Sequence, residues 1–431
     1  VLPAIKESFY SLPLALGSQS SVPVTNCQVC GSDHLDTVLF LGYMPPVNQM
    51  RSIGSVPHEQ PSYPASLLHC RHCDLVQIGL VVDPQILFPP SYPYTSGTTK
   101  ILHDNFDDLA QEAISFLNLT PENLVVDIGS NDGTLLSKFQ KRGVKVLGIE
   151  PTDVGKIAQE NGIETIISYF SEKSAEQAVR SHGHAKVVTA ANVFAHIENI
   201  HDIIKDIKKV IGEKGAFISE SHYLISLLET VQYDTIYHEH LRYYSLSSLK
   251  NLLSQHGLEI IKAKKIPTHG GSIRVYAAFK GQYPLHHSVQ EILDQEPQGD
   301  VLSQALIEFK KRILDSKLRL LTILNDLKNQ GKTICAISAP SRASTLVSYV
   351  GLDDGIIDFV AEIKGSLKIG KYMPGTLIPI VNQEDVLFGD KQPDYALILS
   401  WHIASELKEK LKEKGFKGQF IVPLPTPHII G

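Results

Sequence analysis

The stretch Val125–Pro151, VVDIGSNDGTLLSKFQKRGVKVLGIEP, decides the fold. An apolar run, Leu124-Val125-Val126, ends in Asp127. A short turn follows through Gly129, Ser130, Asn131, Asp132 and Gly133. After an amphipathic segment, a second apolar run ends in Glu150 and Pro151. That order reads strand, turn, helix, strand, a parallel βαβ unit. Glycines let the backbone turn sharply and approach a ligand closely. The helix start offers free N–H groups, and Glu150 at the second strand tip suits the two hydroxyls of a ribose.

Two ligand classes compete for such a turn. A dinucleotide site uses G-x-G-x-x-G and rests a pyrophosphate on the helix N-terminus. Here the turn is G-S-N-D-G and carries Asp132, with Asp127 just before it. These acids would repel a pyrophosphate. They suit a cation such as the sulfonium and amino acid portion of S-adenosylmethionine.

Outward from this unit the pattern keeps alternating. Residues 101–118 read as helix before it. After it come helix 154–161, strand 164–169, helix 172–181, strand 186–194, helix 200–211 and strand 215–220. Alternation of this kind predicts a doubly wound, mostly parallel sheet covered on both faces. The runs 258–264 and 271–279 add an antiparallel edge, joined by the turn at His269-Gly270-Gly271. Ligands sit beyond the carboxyl ends of such strands, which places Asn192 and His196 of ANVFAHIEN at the site. Further on, YDTIYHEHLRYY gathers Tyr237, His238, Glu239 and His240. A metal reading of this run lacks a third ligand. Imidazole, phenol and an orienting carboxylate are the parts that proton abstraction requires.

Toward the N-terminus, Cys27-x-x-Cys30 and Cys70-x-x-Cys73 form two knuckles, with Cys335 left over. Four thiolates predict a structural zinc with no open position. A fifth, isolated thiol makes a disulfide framework a poor fit. His34, His69 and His72 read as surface or supporting residues. Residues 1–20 carry no periodicity and no assigned role. Residues 84–100 are a proline-rich hinge holding Tyr92 and Tyr94. Residues 281–299 read as a linker. The apolar spacing from Leu302 to Leu327 predicts a long helix ended by Gly331. From Lys332 a second α/β unit begins, with strands at 356–361, 395–399 and 420–423, and Ser341, Arg342 and Ser344 at a helix start.

The chain has 431 residues, too many for one core. Its 43% hydrophobic and 20% charged residues are those of a globular protein. A net charge of −6 opposes non-specific nucleic-acid binding, which needs a basic face. No apolar run reaches membrane-spanning length, and the start lacks a leader pattern, so a cytoplasmic protein is expected.

Taken together, the knuckles, DIGSNDG, GIEP, ANVFAHI, YDTIYHEH, HGGSIRVY, KYMPGTLIPI and IVPLP resemble the nucleotide-sugar C-methyltransferases of deoxysugar biosynthesis. The resemblance runs from about Cys27 to Pro425. It implies an α/β fold in three parts: a zinc-binding module with hinge at 1–95, a central Rossmann-like methyltransferase domain at 96–285, and a helical bridge with a C-terminal Rossmann-like domain at 286–431. It implies S-adenosylmethionine and structural Zn2+ as cofactors, and a nucleoside-diphosphate-linked 4-keto deoxysugar as substrate. A base removes the proton at carbon 3, and the enolate takes the methyl group. By the match, His240 is the base, Glu239 orients it, and Tyr237 and His196 serve the enolate oxygen or the proton relay. Asp127, Gly129, Ser130, Asn131, Asp132, Gly133, Glu150, Pro151 and Asn192 fall at the cofactor. Tyr92, Tyr94 and Arg342 fall at the substrate, and Cys27, Cys30, Cys70 and Cys73 at the metal. Where the family commonly has a glycine-rich turn opening the last domain, this chain has Ser338–Ala343, with Arg342 keeping the charge of a lysine. Methylation of oxygen or nitrogen on a small metabolite is the competing activity, and a zinc-knuckle nucleic-acid scaffold the non-enzymatic one. A monomer or homodimer is expected.

Overall fold

The computed structural model describes residues 20–56, 60–88, 97 and 100–431. Tyr92 and Tyr94 lie outside the described residues, as do residues 1–19. The first module holds β1 (Ser21–Pro23), β2 (Leu35–Met44), β3 (Tyr63–Cys70), β4 (Val76–Ile78), β5 (Leu80–Val82) and the single turn α1 (Pro84–Leu87).

The central unit runs α2 (Lys100–Leu117), β6 (Leu124–Ile128), α3 (Thr134–Gln140), β7 (Lys145–Glu150), α4 (Val154–Glu160), β8 (Thr165–Ile167), α5 (Glu172–His182), β9 (Val187–Ala191), α6 (Ile200–Ile211), β10 (Ala216–His222), α7 (Leu224–Glu229), β11 (Arg242–Tyr243), α8 (Leu246–Ser254), β12 (Leu258–Ile266) and β13 (Ser272–Phe279). Its seven-stranded sheet has the order β12-β13-β10-β9-β6-β7-β8. β6 through β10 pair in parallel, and β12 and β13 are antiparallel. Strand order reverses between β6 and β9, and there the crevice for a ligand opens. The strands are near-continuous apolar runs because both faces are covered. α2 and α3 pack on one face, and α5, α6 and α8 on the other.

The last unit runs α9 (Ser288–Leu293), α10 (Gly299–Asn329), β14 (Ile334–Ile337), α11 (Ser341–Val350), β15 (Val360–Glu362), β16 (Ile380–Asn382), α12 (Gln383–Val386), β17 (Tyr395–Ile398), α13 (Ala404–Glu413), β18 (Gln419–Val422) and β19 (His428–Ile430). Its sheet has the order β16-β15-β14-β17-β18-β19, parallel except for the last pair. α10 buries Leu302, Leu306, Phe309, Ile313, Leu320, Leu324 and Leu327, the predicted stripe. Two expectations shift. The linker 281–299 contains α9. The strand expected at 356–361 starts only at Val360, because Asp353 accepts from the backbone of Gly355, Ile356 and Ile357 and curls that stretch into a turn.

These units are not separate cores. One apolar cluster joins β2, β3 and β4, α7, α10 and the whole C-terminal sheet. β11, which continues the YHEH run, completes the zinc module's sheet in the order β11-β4-β3-β2. Among the described residues no helix is long and apolar enough to cross a membrane.

Candidate functional site

The cofactor candidates come from β6, its turn and β7. Gly129 sits at φ +65, and a Cβ there would fall 2.6 Å from Val193 Cγ2, so only glycine lets the turn close on the β9 loop. Asp132 accepts from Thr134 N and Oγ1 at the start of α3, and its other oxygen accepts from Gly97 N at 2.7 Å. Gly97 is thereby tied to the glycine turn. Glu150 is buried. Oε1 accepts from Thr152 N and Oγ1, and Oε2 accepts from Asn131 N at 3.0 Å. Asp127 accepts from Thr189 Oγ1 at 2.6 Å, and burial pushes its carboxyl up to about 7.

Two buried polar atoms in this crevice lack a protein partner among the described residues, Ser130 Oγ and Asn192 Oδ1. A buried orphan costs about 1–3 kcal/mol. Both orphans belong to residues that the sequence assigns to the cofactor. With carboxylates at Asp127 and Glu150, the donor set fits a polar, cationic adenosyl ligand.

Beyond the carboxyl ends of β9 and β10 lies a pocket of imidazoles. The His240 ring is 4.9 Å from His196, 4.9 Å from His222 and 4.1 Å from the Tyr237 ring. His222 in turn is 5.6 Å from His269. His402 adjoins His269 and Arg342. Burial, reinforced by the neighbouring imidazoles, holds His240 and His222 well below the usual histidine range, and burial takes His196 and His269 to about 4. Burial pushes Tyr237 far up, so it remains a phenol and a hydrogen-bond donor.

His240 Nδ1 lies 2.7 Å from the Thr235 carbonyl oxygen. A carbonyl only accepts, so Nδ1 carries the hydrogen and a neutral ring keeps its lone pair on Nε2. This corrects one expectation: Glu239 does not orient His240. Its Oε1 accepts from Asn48 Nδ2 at 2.8 Å, and the orienting acceptor is a backbone carbonyl. His238 is held by the Pro64 carbonyl. Arg342 also differs from expectation. It forms a two-bond pair with Asp234, donates to the His269 carbonyl and Gln232 Oε1, and lies over Trp401. Four of its five N–H hydrogens are spent on protein.

His222, His269, His402, Asp234 and Thr235 were absent from the sequence assignment. His222 could have been found from its place at the carboxyl end of β10. Thr235 contributes only a carbonyl, which no residue type announces.

The four cysteine Sγ atoms lie within 4.8 Å of one another, with Cys27–Cys73 and Cys30–Cys70 each at 3.5 Å. Sulfurs around a tetrahedral zinc stand about 3.8 Å apart. No disulfide joins them. Without a metal, the bond between Cys27 and Cys73 lowers the first thiol and raises the second, and burial raises Cys70. Four thiolates this close need a cation between them, so the set fits zinc. His69 is not a ligand; it pairs with Asp74, which also accepts from Gly299 N and anchors the knuckle to α10.

Residues 27–88 match a model described as a putative zinc binding domain, 101–263 one described as a methyltransferase domain, and 267–425 one described as a C-methyltransferase C-terminal domain. The C-methyltransferase NovU of Streptomyces niveus is 32% identical over 414 residues, covering 95% of this chain and 97% of that protein. Among solved structures, an S-adenosylmethionine-dependent methyltransferase from Clostridium acetobutylicum is 13% identical, with TM-score 0.33, over 42% of this chain and 92% of its own. A magnesium protoporphyrin IX methyltransferase from Synechocystis is 15% identical, with TM-score 0.32, over 41% of this chain and 79% of its own. Full-length similarity to NovU, joined to the cysteine cluster and the glycine-turn crevice, leads to one assignment: the chain belongs to the C-methyltransferase family and is an S-adenosylmethionine-dependent methyltransferase with a zinc-binding module.

Proposed function

We propose that the enzyme methylates carbon 3 of a nucleoside-diphosphate-linked 4-keto deoxysugar through an enolate. The observation that carries this reading is the His240–Thr235 contact, which leaves a neutral imidazole with its basic nitrogen at Nε2, away from the carbonyl. A proton next to a ketone is weakly acidic, so its removal needs a fixed base and fixed donors for the enolate oxygen. His240 Nε2 takes the proton. The Tyr237 hydroxyl, kept protonated by burial, donates to the developing oxyanion, and His196 stands behind His240 to pass the proton on.

Asp127, Asp132, Glu150 and Asn192, with the Gly129 and Gly133 turn, Ser130, Asn131 and Pro151, hold the cofactor. When bound, S-adenosylmethionine supplies the electrophilic methyl group to which the enolate carbon bonds. Neutral imidazoles serve here better than cations would, because they do not repel the sulfonium.

The test is incubation with methyl-labelled cofactor and a panel of uridine- and thymidine-diphosphate-linked ketosugars, read by mass spectrometry and NMR. A new carbon–carbon bond beside the ketone is expected. Label on an oxygen or nitrogen would overturn the reading.

A further inference from the structure

Arg342 is buried and grips the catalytic run from across the molecule. Its Nε and Nη2 bind the two oxygens of Asp234 at 2.7 and 2.8 Å, and Trp401 Nε1 adds a third bond to the same carboxylate at 2.8 Å. Nη2 also reaches Gln232 Oε1 at 3.1 Å. One turn along α11, Thr345 Oγ1 donates to the Ile236 carbonyl at 3.3 Å. Residues three apart share one helix face. That face therefore holds Asp234 and Ile236, the two neighbours of Thr235. Between them, the Thr235 carbonyl accepts from His240 Nδ1 and, at 3.2 Å, from Tyr243 OH.

We propose that Arg342 and Thr345 are positioning residues: helix α11 fixes the peptide after Thr235 and so sets the tautomer of the base, His240. The inference rests on the reading of His240 as base. It replaces the expectation that Arg342 contacts substrate. The free orientation of a carbonyl depends on the dihedrals on either side of it. Clamping residues 234 and 236 leaves the 235 carbonyl one direction. Without that acceptor the ring gains the Nε2–H form, which cannot take a proton at Nε2. The C-terminal sheet, through the helix that leaves β14, is then part of the catalytic apparatus rather than only a wall.

The experiment uses the zinc-loaded full chain with 15N-labelled histidine, and His240→Gln to assign the signals. Wild type is expected to show the Nδ1–H form of His240. Arg342→Gln should show a mixture of both forms. In turnover of the same keto-sugar panel, its kcat should fall about 100-fold. KM and cofactor affinity should stay within about threefold. Arg342→Lys, which keeps the charge but loses the fork, should recover little. Thr345→Val removes one bond with little change of shape and should lower kcat about threefold to tenfold, in step with the tautomer shift. An Arg342 that touches substrate would instead raise KM, leave the tautomer unchanged and be partly rescued by Lys; that result overturns the proposal. If Arg342→Gln does not fold, Thr345→Val and Trp401→Phe decide by the same two readouts. Should wild type methylate no carbon, the activity reading fails, while the tautomer comparison still stands or falls alone.

Discussion

The proposed cofactor cradle and the imidazole cluster meet at the carboxyl ends of one sheet, yet they are built in opposite ways. The cradle takes Asp127, Gly129, Asp132 and Glu150 from a single strand-turn-helix-strand. Most of its bonds stay inside that unit, Thr134 to Asp132 and Asn131 and Thr152 to Glu150, and two come from outside it, Gly97 to Asp132 and Thr189 to Asp127. The pocket takes His196 from the loop after β9, His222 from the end of β10, Tyr237 and His240 from the run before β11, His269 from the turn before β13, and His402 from the segment after β17. Its key bonds span the molecule: Asn48 to Glu239, Arg342 to Asp234, and β4 to β11. A local site binds wherever its βαβ unit folds. A distributed site exists only when all three units are docked. Binding and turnover should therefore come apart under mutation.

The largest separation is expected at the base. His240→Ala should lower kcat by about 10²–10⁴, while calorimetry finds cofactor affinity within about twofold. Loss of cofactor binding in that variant would show that pocket and cradle are one structure. Zinc is the next test. The cysteine knuckles share a sheet with β11, and Arg242 on that strand donates to the carbonyls of Ile197 and Glu198 beside His196. Cys70→Ser should lose the metal and lower the unfolding midpoint, and should cost turnover more than tenfold with cofactor affinity less affected. Metal analysis and thermal unfolding check the first part. A variant that keeps its zinc and its stability would remove the structural role. The reverse separation is expected at Glu150→Ala, where cofactor binding weakens by about 1–3 kcal/mol and kcat at saturating cofactor stays close to wild type.

The same contrast explains what the sequence could tell. Periodicity placed β6, β7, α6 and α10, because each buries a face whose spacing is written locally. The cysteine spacing picked out the four thiols that the fold brings together, since thiols in pairs have few other uses. Sequence reading recognised YHEH as chemistry but gave His240 the wrong anchor. Glu239 is one residue away and looks like a partner, while the true acceptor is the Thr235 carbonyl, which has no side-chain signature. Arg342 was expected at substrate from its place at a helix start and in the slot where the resembling family has a lysine. Its partner Asp234 lies more than a hundred residues earlier, and only the docking of α11 against the catalytic run joins them. Strand limits at β8 and β15 were overextended because apolar residues continue into turns.

Smaller effects follow from protonation. Asp127 titrates near 7 because burial penalises its charge. A cationic ligand binds the ionised form. Cofactor affinity should therefore rise with pH up to about 7, by at most about tenfold per unit, and level off above it. Calorimetry in buffers of different ionisation enthalpy should detect proton release near pH 7, and Asp127→Asn should flatten the profile. A flat profile in wild type would place the cation away from Asp127.

The subtlest test uses stability, where the two regions should respond to acid with opposite signs. In the pocket, His196 and His269 titrate near 4 when folded, and His240 and His222 lie well below the usual range. Unfolded imidazoles titrate near 6.5. Between those values the unfolded chain binds more protons, so stability rises with pH there. The contribution is full above about 6.5 and is lost as pH falls toward 4, by about 1.4 kcal/mol per unit for each ring. In the cradle, Asp127 is raised from an unfolded value near 3.8. The folded chain now binds the extra proton, so this contribution is present below about 4 and is lost as pH rises to about 7. Burial raises Glu220 and Asp206 as well, and with more depressed imidazoles than raised carboxyls, denaturant unfolding should show net loss of stability from pH 6.5 to 5. Asp127→Asn removes the opposing slope and should steepen that loss, whereas His222→Asn should make it shallower. If both variants shift the profile in the same direction, the two regions share one electrostatic environment, and the division between a local cradle and a distributed pocket does not hold.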